Sequence, residues 1–75
     1  MKKPANVKDV RIAEFATHVR IPGVGLVPEV RKDSVGKFCV VQDIWIANSC
    51  VYVLSRDTLI VVPFANVKYV ELQGE

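Results

Sequence analysis

Twenty-two of the chain's 75 residues are branched at Cβ, 15 Val, 5 Ile and 2 Thr, against only 4 Leu and 5 Ala. Such side chains lose rotamer freedom in a helix but pack well on a pleated surface, so the chain is constrained to fold as strands rather than as a helical bundle. A chain this short forms a single domain, 1–75, and hides only about 60% of its unfolded surface. Yet 51% of its residues are hydrophobic. That is more than a small core needs, and the surplus is the main functional clue. The positive mean hydropathy, +0.26, excludes a disordered chain. The longest apolar stretch, Leu59 to Ala65, is far below the roughly 18 residues of a membrane-spanning helix. Met1-Lys2-Lys3 has the basic start of a secretory signal, but Lys8, Asp9, Arg11 and Glu14 stand where its apolar region would follow. A cytoplasmic protein is expected.

The second half, 37–72, reads as a four-stranded meander. Lys37 to Ala47, Cys50 to Ser55, Thr58 to Val62 and Val67 to Leu72 are separated by Asn48-Ser49, Arg56-Asp57 and Pro63 to Asn66, and the first two connectors have hairpin length. In the first half, residues 1–6 read as a tail. Val7 to Ile21 reads as one long bent strand whose parity changes at a bulge near Ala13, with a short helix over 8–18 as the alternative, since Ile12, Phe15 and Val19 fall at i, i+3 and i+7. Two Pro and three Gly mark a long, turn-rich loop between Pro22 and Gly36, in which Leu26 to Val30 is briefly extended.

Two-residue turns fix register, and register assigns faces. Around Asn48-Ser49 the opposite pairs are Ala47 with Cys50, Trp45 with Tyr52 and Asp43 with Leu54; around Arg56-Asp57 they are Leu54 with Leu59 and Tyr52 with Val61. One face then carries Val40, Ile44, Ile46, Val51, Val53, Ile60 and Val62, the natural core. The other carries Val41, Trp45, Ala47, Cys50, Tyr52, Leu54, Leu59 and Val61, with Asp43 among them. A sheet with one solvated face alternates apolar with polar, and these strands do not. Burying such side chains is worth about 1.5–3 kcal/mol each, so something must cover the second face: the chain's own residues 7–30, another copy, or a different partner.

Catalytic chemistry is poorly supplied. His18 is the only histidine, and Cys39 and Cys50 have neither CxxC spacing nor the ligands to complete a metal site. They are not placed for a disulfide either: Cys50 lies opposite Ala47, eight residues from Cys39 and so about 26 Å away at ~3.3 Å per residue. No cofactor, metal or catalytic residue is expected. Asp43, a lone carboxylate among apolar neighbours, either pairs with an Arg of the basic half or sits at a barrel rim. The segment IPGVG lacks GK[ST] and is no phosphate loop.

The stretch LIVVPFANVKYVEL, 59–72, resembles the end of an SH3-like small barrel, where an apolar strand runs into Pro63, a tight turn carries Asn66, and Val67 opens the last strand. The resemblance implies an all-β, SH3-like barrel of about five antiparallel strands with a long N-terminal loop over 16–36. The chain has EFATH where SH3 domains carry an ALYDY-like stretch and Asn66 where they carry Tyr, so polyproline binding is not implied. Stand-alone barrels of this size look like small bacterial or phage accessory proteins. The expected function is therefore a non-catalytic protein–protein interaction module. It would self-associate as a homo-oligomer, or dock on a partner protein, through Trp45, Tyr52, Asp43, Leu54 and Leu59; Trp and Tyr are enriched at binding hot spots. The alternative is nucleic-acid binding by the basic half through Lys2, Lys3, Lys8, Arg11, Arg20, Arg31 and Lys32, since residues 1–37 carry eight of the ten Lys and Arg.

Overall fold

A computed structural model of the chain describes residues 3–32 and 39–74, with Cys39 and Val40 described by backbone only. The β-branched composition is expressed as seven strands: β1 (Lys8–Ile21), β2 (Gly25–Arg31), β3 (Cys39–Val40), β4 (Asp43–Ala47), β5 (Cys50–Ser55), β6 (Thr58–Pro63) and β7 (Val67–Leu72). A single 3-10 turn, Phe64–Asn66, separates the last two, and the described residues contain no α-helix. The strands form one curled, half-barrel sheet in the order β3-β2-β1-β4-β5-β6, with β7 on β1. All ladders are antiparallel except the short β2–β3 pair. This architecture is all-β and compatible with a small SH3-like barrel.

β1 organises the fold because it is long enough to pair three ways. Its start, Lys8 and Asp9, meets β4; Val10 to Phe15 meets β7; and Ile12 to Ile21 meets β2. A straight 14-residue strand could not do this, and register shifts bend it between Val10 and Ile12 and again between Glu14 and Val19. Burial follows Val10 and Ile12 and then switches to Ala13 and Phe15, so the parity changes beside Ala13, as expected from sequence, between ladder irregularities at Val10/Ile12 and Glu14/Phe15. Val10, Ala13, Phe15 and Ile21 all reach the core as a result.

The long excursion over 16–36 is a paired hairpin through residue 32 rather than open chain. Pro22 and Gly23 form a tight turn in which the Val24 N–H donates to the Ile21 carbonyl at 3.0 Å, with Gly23 at φ 81°. A Pro followed by a residue of positive φ is what a type II turn requires. Expected residues 33–36 lie outside the described ones. Asn66 then straps the hairpin to the 3-10 turn: its Oδ1 accepts from the Thr17 N–H at 2.9 Å and its Nδ2 donates to the Thr17 carbonyl at 3.1 Å.

The β4–β5–β6 meander has the expected register throughout, from Asp43 opposite Leu54 to Leu54 opposite Leu59. Asn48 and Ser49 both take positive φ, 53° and 59°, which matches the right-handed twist of the flanking strands. Two expectations fail around it. The segment 37–47 is not one strand, because it breaks at Val41 and Gln42, whose N–H groups donate to the Arg31 and Leu54 carbonyls. The break shifts parity, so Val41 enters the core instead of the second face. The fourth meander strand, β7, leaves the meander and pairs with β1, because the 3-10 turn after Pro63 redirects the chain. The core of Ile44, Val51, Val53 and Val62 is completed by β1 and β2 residues, with Ile46 and Ile60 partly buried against it.

Candidate interaction surface on the outer sheet face

The cross-strand registers align the second face into rows, since directly opposite residues project to the same side. One row runs Asp9, Trp45, Tyr52, Val61 across β1, β4, β5 and β6; a second runs Asp43, Leu54, Leu59; a third runs Ala47, Cys50, Pro63. Burial falls steeply along the first row. Trp45 is 2% exposed, Tyr52 is half-buried and Val61 is 49% exposed. Leu54 is also buried, while Leu59 and Asp43 are intermediate.

The inner end of this face is therefore closed by the chain itself, and charged residues surround it. Lys3, in the segment expected as a free tail, binds the Asp9 carboxylate. Lys32, at the end of β2, reaches Asp43 Oδ1 at 3.3 Å. The two carboxylates flank Trp45, Asp9 directly across on β1 and Asp43 two residues back on β4. Asp43 is thus paired, by a lysine rather than the arginine or open rim considered from sequence, and it also accepts from the Ile44 N–H at 3.1 Å. The hydrogen bond from Lys3 holds the Asp9 carboxyl below the usual carboxylate range, with desolvation opposing it and the charges of Lys3 and Lys32 assisting. Lys3 is raised by the same hydrogen bond, and Asp43 contributes to that shift as well as Asp9. Two carboxylates and two ammonium groups thus form one alternating cluster around the indole.

Trp45 and Tyr52 are stacked, with ring centroids 5.6 Å apart and planes inclined by 2°. Parallel planes at that separation are laterally offset, the arrangement the ring quadrupoles favour. The Tyr52 hydroxyl accepts from Asn48 Nδ2 at 3.3 Å. Of the five residues expected to bind a partner, Trp45 and Leu54 are thus packed inside the fold, and Tyr52, Leu59 and Asp43 are partly accessible. Side-chain patterns do not reveal Lys3 and Lys32 as the cluster's cations: Lys3 returns to Asp9 through the turn at Ala5-Asn6, where Asn6 has φ 64°, and Lys32 reaches Asp43 where the chain breaks at Val41-Gln42.

The basic residues sit for the most part in ion pairs within the fold. Lys3 pairs with Asp9, Arg11 with Glu71 at 2.6 Å, Arg31 with Glu29 at 2.9 Å and Lys32 with Asp43. Lys8 and Arg20 are exposed, and Lys2 lies outside the described residues. Four of the seven are therefore neutralised locally. His18 is exposed, Cys50 is a free thiol opposite Pro63, and the side chain of Cys39 lies outside the described ones. An open depression between the start of β1 and the end of β7 is lined by Lys8, Asp9, Leu72, Gln73 and Gly74, one ammonium and one carboxylate among them.

β6 is the outermost strand of the path and is laddered only to β5 among the described residues. Its sequence from Thr58 to Val62, TLIVV, carries no charge, and Leu59 and Val61 project outward while Ile60 and Val62 face the core. Which backbone groups it leaves open follows from hydrogen bonds nearby. The Leu54 carbonyl accepts from Gln42, so Leu54 directs its backbone toward β4, and the Phe64 N–H donates to the Ser49 carbonyl at 3.1 Å. Alternation along the ladder then makes Ser55/Thr58, Val53/Ile60 and Val51/Val62 the pairs that exchange hydrogen bonds. The N–H and C=O groups of Leu59 and Val61 point away from β5, to the open edge.

Comparison of the chain with protein-family models, with curated proteins and with solved structures finds no significant match.

Proposed function

We propose that the chain is a non-catalytic protein–protein interaction module, an SH3-like barrel whose working surface is β6 and the outer-face residues beside it, Tyr52, Leu59 and Val61. The observation that carries this reading is the open edge of β6: a charge-free strand, apolar on both faces, whose outward side chain Val61 is 49% exposed. Natural sheets guard such edges with charges, bulges, prolines or a covering element, because unpaired strand edges recruit other strands. Among the described residues, β6 has of these devices only Pro63 at its end. The contrast within this molecule is informative. β7, which also has a single ladder, carries Lys68 and Glu71, which pair with Glu14 and Arg11 on the neighbouring β1. One outer strand is guarded and the other is left apolar.

The reading moves the interaction surface away from Trp45, which packs beside Tyr52 on the neighbouring strand, toward the strand at the open end of the face. A photo-crosslinking side chain in place of Val61, compared with one in place of the exposed Lys68, tests it in cells of the source organism. Protein adducts formed from position 61 and not from 68 are expected. Equal labelling from both positions, or none from 61, would refute the reading.

A further inference from the structure

Resting on that reading, we infer that the occupant of the β6 edge is a second copy of this chain, paired antiparallel about a two-fold axis through Ile60. The edge is self-complementary in three independent respects.

The first is hydrogen bonding. An antiparallel partner centred on Ile60 places Leu59 opposite Val61 of the second copy, and Val61 opposite its Leu59. Those are the residues whose N–H and C=O groups point to the open edge, so each Leu59–Val61 pair exchanges two hydrogen bonds. The two-fold repeats them, and all four open N–H groups find acceptors. Ile60, whose backbone groups are engaged with β5, meets its own counterpart at the close, non-hydrogen-bonded position where side chains touch. A pairing shifted by one residue would set the open groups opposite occupied ones.

The second respect is the side-chain pattern. The same register keeps every outward residue opposite an outward one and every inward residue opposite an inward one, with Thr58 facing Val62 of the second copy. The outer row Trp45, Tyr52, Val61 then continues into Leu59, Leu54 and Asp43 of the second copy, so half-exposed Val61 gains an apolar neighbour on the side where it has none. An unrelated peptide could satisfy the backbone, but it would have to be apolar on both faces to match this strand. The strand itself is.

The third respect is charge. The nearest charged residues, Arg56 and Asp57, fall opposite Phe64 and Pro63 of the second copy, so no like charges are opposed. Pro63 has no N–H to donate and ends the ladder at the point where the partner's turn begins. A two-fold contact of this kind closes on itself, which limits assembly to a dimer and removes the exposed edge.

Sedimentation equilibrium of the purified chain over a concentration series tests the inference. A monomer–dimer equilibrium between the chain mass of 8.4 kDa and twice that mass is expected. Val61→Lys, at a half-exposed position, is expected to keep the circular dichroism spectrum and shift the equilibrium at least tenfold toward monomer. Register is read separately in a Cys39→Ser, Cys50→Ser background: Leu59→Cys mixed with Val61→Cys forms a disulfide-linked dimer faster than either variant alone. A wild-type chain that stays monomeric throughout, a complex larger than a dimer, or equal cross-linking by the single variants would overturn the inference. A monomeric chain whose position 61 still labels other proteins in cells overturns the dimer alone. Absence of labelling together with a monomer overturns the interaction reading as well.

Discussion

Replacing Trp45 by Ala separates a core residue from an interface residue. The indole is 2% exposed and stacked on Tyr52 between two ion-paired carboxylates. Truncating a buried aromatic costs about 3–5 kcal/mol, the lost transfer energy plus the cavity that rigid neighbours cannot fill. A domain of this length has a total stability of about 4–11 kcal/mol at 0.05–0.15 kcal/mol per residue. The substitution therefore removes between a quarter and all of it. At 4–8 °C per kcal/mol, the melting temperature falls by roughly 12–40 °C. Tyr52→Ala is the control on the same row: it loses the stack, worth about 0.5–1.5 kcal/mol, but only part of its ring is buried, so about 1–2 kcal/mol is expected. Urea unfolding followed by far-ultraviolet circular dichroism measures both without relying on the tryptophan signal. A Trp45→Ala variant that unfolds at the wild-type midpoint, or that loses no more stability than Tyr52→Ala, would refute the packing account of the buried end of the outer face.

Three further outcomes follow from named contacts. Asn66→Ala removes both hydrogen bonds to Thr17, and because the site is open to water the expected loss is about 1–2 kcal/mol, with faster amide exchange at Thr17 as its local signature in NMR. Gly23→Ala places a side chain at φ 81°, and about 1 kcal/mol or more of destabilisation in thermal melts is expected; the close Arg56 guanidinium can swing away, so Arg56→Ala should not rescue it. The Asp9 carboxyl is held below its ordinary value chiefly by the Lys3 hydrogen bond, so its contribution to stability is present above the unfolded-state value and is lost as pH falls through the lower folded-state value. Lys3→Met should raise the Asp9 midpoint in a carbon-detected NMR titration, and an unmoved midpoint would show that the pair is not formed in solution.

The legible part of the fold is the part governed by short-range rules. Asn48-Ser49 and Arg56-Asp57 are two-residue connectors, a length that sets the pairing whichever primed turn it takes, so the register from Asp43 to Val62 could be read residue by residue, including the Trp45–Tyr52 pair. The bend in β1 was readable as a parity change beside Ala13, though no local pattern encodes the ladders with β2, β4 and β7 that it accompanies. The break at Val41-Gln42 carries neither Pro nor Gly; it exists because their N–H groups find the Arg31 and Leu54 carbonyls, contacts separated along the chain. That break accompanies the Lys32–Asp43 pair, and the turn at Ala5-Asn6 returns Lys3 to Asp9 beside Trp45. The apolar surplus on the second face was therefore visible, but which end of it the chain covers was not. Burial runs out along the row from Trp45 to Val61, and what lies at its open end is a backbone edge, which side-chain patterns alone do not reveal.

The proposed interaction rests on an unpaired backbone edge of β6 at Leu59 and Val61. Residue-resolved hydrogen–deuterium exchange, followed by NMR in dilute and in concentrated samples, addresses it directly. Slow exchange at Ile60 and Val62 under both conditions is predicted, with Leu59 and Val61 exchanging fast when dilute and slowly when concentrated. Four equally protected amides in the dilute sample would contradict it, because the edge would then be covered by the chain itself.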